Sequence, residues 1–149
     1  MKPSISEILA TLPHKTGVNR NDWLHVKHDL LNIALWVRQY CAAKHLPLVI
    51  TSIIRPKIEG VSVSDTHAEG RAFDISSRAF SVDDIDDILI ECNRAFAKTI
   101  GAISSHDGLP RAVIYEFQGF KEQFKATEYL RENRLATPHL HFQVRRDHA

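Results

Sequence analysis

Little in this chain points toward a membrane, a secretion route or a charged polymer. Its 149 residues hold no apolar run near the roughly 18–20 needed to cross a bilayer. Met1 to Thr11 lacks a basic stretch, an apolar stretch and a small-residue cleavage site in succession. The expectation is therefore synthesis in the cytoplasm without a signal peptide, and no membrane insertion. The formal net charge is only +1, from 19 basic and 18 acidic side chains, so there is no global pull toward nucleic acid or anionic lipid. No basic helix or aromatic–basic platform appears, which argues against a nucleic-acid partner. Cysteine is scarce. Cys41 and Cys92 each fall at an apolar position of an expected helix, and no Cys-x-x-Cys pair exists. Both read as buried free thiols, not as a disulfide or a structural zinc site. Repeats, low-complexity tracts and long linkers are also missing, so residues 1–149 are expected to form one domain.

What is present suits a globular domain: 44% of residues are hydrophobic and 25% charged. Pro3 to Pro13 suggests a short helix or arm, with Ile5, Ile8, Leu9 and Leu12 on one side. Asn21 or Asp22 can cap a helix running to about Lys44, with Leu24, Leu30, Leu31, Ala34, Leu35, Val37 and Cys41 at helical spacing. Leu48 to Ile54, β-branched and bounded by prolines, reads as a strand, and Lys57 to Thr66 as a loop. Gly70 to Ile75 reads as a second strand.

Ser81 caps a helix ending at Gly101, with Val82, Ile85, Ile88, Leu89, Cys92 and Phe96 inward. Asp83, Asp84, Asp86 and Asp87 crowd its first turns, where the helix dipole favours carboxylates. Their spacing does not match an EF-hand loop, and they read as a solvated helix start. Ala112 to Phe117 reads as a strand, Phe120 to Asn133 as an amphipathic helix with Phe120, Phe124 and Leu130 partly inward, and Leu140 to Val144 as a final strand. Without regular βαβ alternation, this order predicts an α+β domain with a small, mostly antiparallel sheet and packed helices.

Histidine, by contrast, is plentiful, with nine in the chain. Thr66-His67-Ala68-Glu69-Gly70-Arg71-Ala72-Phe73-Asp74 places an imidazole and a carboxylate seven positions apart. Both are good zinc ligands, and Gly70 between them lets the chain turn and approach closely. In Pro138-His139-Leu140-His141-Phe142, the two histidines share one side of the expected strand, because side chains alternate. One of them would complete a His-Asp-His set and leave the fourth position for water, the arrangement of catalytic zinc.

These segments resemble the zinc D-alanyl-D-alanine carboxypeptidases and L-alanyl-D-glutamate endopeptidases, which share a fold with the Hedgehog signalling domain and many phage endolysins. His67, Gly70, Ala72 and Asp74 match the motif S-x-H-x-x-G-x-A-x-D. Leu140-His141-Phe142 resembles the late strand, where an aromatic commonly follows a ligand histidine, and this selects His141 as the third ligand over His139. Ile50 to Pro56 resembles the strand before the motif, which ends in a substrate-contacting arginine, here Arg55. The three segments occur in the family's order between Val49 and Val144.

Two positions depart from the pattern. The usual Ser two residues before the first histidine is Asp65, with Ser64 and Thr66 beside it. The carboxylate often found three residues before the last ligand is Pro138, which cannot do acid–base work. His139 matches a variant with a histidine two residues before the ligand.

The resemblance implies a zinc metallopeptidase acting on peptidoglycan stem peptides, as an endopeptidase or carboxypeptidase. A phage-type endolysin released through a separately encoded pore would fit. His139 leads as general base, with Glu116 behind it, although Glu116 and Glu69 also read as solvated charges. Arg55 would hold or polarise the substrate. Two alternatives compete: a zinc-holding binding module of this fold without catalysis, and a virion structural protein in which the ligands never converge. His106-Asp107-Gly108 reads as a turn, His14, His25, His28, His45 and His148 as surface residues, and Trp23 and Trp36 as packing residues.

Overall fold

A computed structural model describes residues 2–59 and 65–146, so part of the expected Lys57–Thr66 loop and His148 lie outside the described residues. The chain forms helices α1 (Ile5–Ala10), α2 (His28–Ala43), α3 (Asp65–Ala68) and α4 (Val82–Ile100). Its main sheet holds β1 (Ile50–Ser52), β2 (Ala72–Ser76), β5 (Val113–Phe117), β6 (Leu130–Glu132) and β7 (His139–Gln143) in the order β1-β2-β7-β5-β6. Every neighbouring pair is antiparallel except β5–β6, which is parallel. The fold is thus α+β as expected, but the sheet is mixed. A separate hairpin pairs β3 (Ala102–Ile103) with β4 (Pro110–Arg111). His106, Asp107 and Gly108 lie in its connection, as the sequence suggests, and Leu109 N–H donates to Asp107 Oδ1 at 3.0 Å. No described helix is long and apolar enough to cross a membrane.

The helix expected from Asn21 or Asp22 is broken. Asn19 caps a 3-10 turn over Arg20–Leu24, and α2 starts only at His28. The break serves the motif segment. Lys27 N–H donates to the Gly70 carbonyl at 2.9 Å, and Gly70, at φ 69°, packs so closely that a Cβ there would lie 2.9 Å from the His25 carbonyl oxygen. Consequently Leu24 is exposed, while Trp23 is buried against Phe73. The Trp23 indole N–H donates to His14 Nε2 at 2.9 Å, so His14 is a half-buried bridging residue and not a surface one. His25, His28 and His45 are exposed as expected.

In α4 a reciprocal capping box joins Ser81 and Asp84. The acid cluster is not wholly solvated, because Asp86 is buried and accepts from the backbone N–H groups of Lys125 (2.9 Å) and Ala126 (3.2 Å). Those bonds hold the segment expected as a helix over Phe120–Asn133 in another form. It consists of 3-10 turns at Lys121–Gln123 and Thr127–Tyr129 followed by strand β6. Pairing of Leu130, Arg131 and Glu132 with β5 takes the backbone groups that a helix would have used. Phe124 and Leu130 reach the core, but Phe120 is exposed.

The core lies between the sheet and the helices. Leu30, Ile33, Ala34, Val37 and Cys41 of α2, and Ile85, Ile88, Leu89 and Cys92 of α4, are buried in it. Phe73 and Phe142 stack at 4.8 Å on neighbouring strands. Trp36 is partly buried, against Tyr40 and Phe96. Cys41 and Cys92 are buried free thiols.

Candidate metal centre

Strand alternation puts Phe73, Ile75, Leu140 and Phe142 in the core, so Asp74, His139, His141 and Gln143 face the other way. Asp74 stands directly opposite His141 in the β2–β7 register, and Glu116 opposite His139 in the β5–β7 register. Two cross-strand rows thereby build the floor of a cleft of about 780 Å³. His67 comes to this floor from α3, not from the end of an irregular loop, and the left-handed Gly70 turns the chain from α3 into β2.

His67, Asp74 and His141 converge there. Their ligand atoms lie within 4.8 Å of one another, and all three residues are buried. Asp74 sits between the imidazoles, with Oδ2 at 3.1 Å from His67 Nε2 and Oδ1 at 2.8 Å from His141 Nδ1. The far side of each ring is anchored. His67 Nδ1–H donates to the Ile53 carbonyl at 2.7 Å, and His141 Nε2 meets Gln143 Oε1 at 3.2 Å. Gln143 Nε2 donates in turn to the carbonyls of Arg111 (3.1 Å) and Ala102 (3.4 Å), which fixes its oxygen toward His141. Two inward nitrogens and one carboxylate, each imidazole backed by a protein acceptor, make a donor set that fits a metal ion. Mixed imidazole and carboxylate donors suit zinc among other divalent metals.

His139 stands beside this group. Its Nδ1–H donates to the Thr137 carbonyl at 2.7 Å, leaving Nε2 at 3.3 Å from Glu116 Oε2 and 3.8 Å from Asp74 Oδ2. Glu116 is therefore no solvated charge; it is largely buried and also accepts from Asn133 Nδ2 at 3.3 Å. Glu69 is exposed yet not free, being bound by Arg71 and Arg146. Arg55 lines the cleft from beyond β1.

Electrostatics follow from this packing. Burial disfavours charge on Asp74, but hydrogen bonds and charge from His141 and His67 outweigh it and hold the carboxyl far below its ordinary range. Burial likewise opposes charge on His67, and Asp74 reverses the effect, raising its pKa. His139 loses hydration and gains the Glu116 hydrogen bond, for a net rise to about 9. Glu116, against its own burial, is drawn down to about 2 by His139 and His141.

No family model, curated protein or solved structure matched the chain. The site therefore rests on its own geometry. That geometry brings His67, Asp74 and His141 together, sets His139 and Glu116 beside them, and leaves Arg55 on the cleft wall. Gln143 was not anticipated, although it continues the period-two series His139, His141, Gln143 on one strand face.

Proposed function

We propose that the chain is a zinc-dependent peptidase of the D-alanyl-D-alanine carboxypeptidase and L-alanyl-D-glutamate endopeptidase type, with that family's fold, acting on peptidoglycan stem peptides. The observation that carries this reading is the buried His67–Asp74–His141 group on the floor of an open cleft, with the His139–Glu116 pair next to it. A zinc ion held by those three side chains would supply Lewis acidity toward a carbonyl oxygen and acidify water.

The chain's own residues do the rest. His139 Nε2, 3.8 Å from Asp74 Oδ2 on the cleft floor, would be within reach of an amide held at the His67–Asp74–His141 group. With its pKa raised to about 9, the ring is an imidazolium at neutral pH and passes a proton to the departing amine, while the ionised Glu116 orients it and takes the proton of the attacking water. Arg55 holds the peptide on the cleft wall.

Pro138 occupies the position where the resembled family often carries its base, which favours the non-catalytic binding-module alternative. Glu116, delivered across the sheet from β5, supplies a carboxylate to the site by another route and favours catalysis.

The test is digestion of purified peptidoglycan by zinc-loaded protein, with released peptides followed by mass spectrometry. Wild type releases peptides. His139→Ala and Glu116→Gln each lose about 10²–10⁴-fold in rate with zinc retained. Stoichiometric zinc without any cleavage would establish the binding module instead.

A further inference from the structure

The cleft has a second arm, of about 910 Å³, which shares Arg55, Asp74 and His139 with the first and runs past the edge of β1. Its charge is one-sided. Lys15, Arg55 and Arg78 line it, and among the described residues Asp74 is the single carboxylate in its lining. None of the three cations has an ion-pair partner among the described residues. In the first arm, by contrast, Arg71 and Arg146 are committed to Glu69, and Arg131 lies 4.0 Å from Glu116. That leaves Arg145 there, beside the shared Arg55.

The three cations come from separate segments that the fold holds together. Residues 13–15 run along the β1 edge, with Ile50 N–H donating to the Pro13 carbonyl (2.9 Å) and Lys15 N–H to the Ile50 carbonyl (2.8 Å). The His14 ring, tied to Leu12 and Trp23, locks this stretch in place, so the backbone that carries Lys15 is fixed. Arg55 follows β1, and its backbone N–H is 3.4 Å from the His67 carbonyl. Arg78 follows β2, where its N–H meets Ser76 Oγ at 3.4 Å and the neighbouring Ser77 N–H meets the Pro138 carbonyl at 3.5 Å. A chain with a net charge of +1 thus concentrates in one concave arm three cations that have no ion-pair partner among the described residues. Such a lining focuses positive potential on a bound anion. Guanidinium and ammonium groups are the natural donors to a carboxylate.

We propose that this arm is a carboxylate subsite, in which Lys15, Arg55 and Arg78 grip a carboxylate of the peptide whose amide lies at the His67–Asp74–His141 group. The assignment rests on the peptidase reading for the identity of the ligand as a peptide. The carboxylate is either the chain terminus or an acidic side chain, and the two sources call for different enzymes. A terminal carboxylate means removal of an end residue, whereas a side-chain carboxylate allows an internal cut.

Binding separates these cases without requiring turnover. Three probes suffice: N-acetyl-L-alanyl-D-alanine, its C-terminal amide, and N-acetyl-L-alanyl-D-glutamic acid α-amide, which carries only a side-chain carboxylate. Each is titrated by chemical-shift perturbation into zinc-loaded and metal-free full-length protein. At least one carboxylate probe should bind about tenfold more tightly than the uncharged amide, and the preferred probe names the source. In the double variant Lys15→Gln, Arg78→Gln, which keeps Arg55, that ratio should fall by about threefold or more, with zinc content and affinity for the uncharged amide unchanged. Both side chains are exposed, so the variant retains the fold. Equal affinity of all three probes for wild type, or an unchanged ratio in the double variant, would overturn the subsite. Failure of the peptidase reading looks different: the zinc-loaded wild type cleaves nothing while the tenfold, Lys15- and Arg78-dependent preference persists.

Discussion

Replacing Gln143 by leucine isolates what the outer residues contribute to metal holding. Gln143 is 5% exposed and links the metal-centre ring of His141 to two backbone carbonyls. Gln143→Leu keeps the volume and removes both functions. The carbonyls of Arg111 and Ala102 lose a donor, which costs folding stability with or without metal, about 1–3 kcal/mol if water cannot reach them. The His141 ring loses the acceptor that keeps Nδ1 turned toward Asp74. Loss of such an outer partner typically lowers metal affinity by about 10–100-fold, or about 1.4–2.7 kcal/mol. Competition with a chromophoric chelator reads the affinity, and thermal unfolding of the metal-free protein reads the stability, so the two losses separate. Gln143→Glu retains an acceptor for His141 but no donor for the carbonyls. It should lose stability while keeping zinc affinity closer to wild type. His139→Ala, which removes no ligand, should stay within about threefold of wild-type affinity. A folded Gln143→Leu protein that binds zinc as tightly as wild type would mean that Gln143 has no part in holding the His141 ring for the metal.

Two further outcomes follow from buried charge. In the metal-free protein, Asp74 and Glu116 titrate below their unfolded values, so their stabilisation is present above about pH 4.5 and is lost as pH falls through their folded range, near 2 for Glu116. His139 titrates above its unfolded value, so its stabilisation is present below about pH 6.5 and is lost as pH rises through about 9. Urea unfolding of metal-free protein should therefore show highest stability between about pH 4.5 and 6.5, with the alkaline decline weakened in His139→Gln. Far from the cleft, Asp86→Ala strips the acceptor from the Lys125 and Ala126 amides and should cost about 1–3 kcal/mol in urea unfolding with zinc affinity unchanged.

Patterns carried by single elements were legible in the sequence. The buried stripe of α4 and its Ser81 cap follow from spacing alone, and so does the shared face of His139 and His141. What escaped depends on partners remote in the chain. Asp86 looks like one of four solvated acids until the segment at Lys125 folds onto it. Phe120 to Asn133 carries helical spacing, but parallel pairing with β5 competes for its backbone and wins. Glu116 could not be set opposite His139 without knowing that β5 and β7 are neighbours and in which register. The break before α2 has the same origin, since it makes room for Gly70 more than forty positions away.

In the proposed site, His67, Asp74 and His141 together hold one zinc ion. The most direct test is zinc content, by plasma mass spectrometry, of metal-replete wild type beside His67→Ala, Asp74→Ala and His141→Ala. Near-stoichiometric zinc is expected in wild type and should be lost in all three variants while circular dichroism shows them folded. A metal-replete wild type without zinc, or folded variants that keep it, would mean that these three side chains do not form a zinc site.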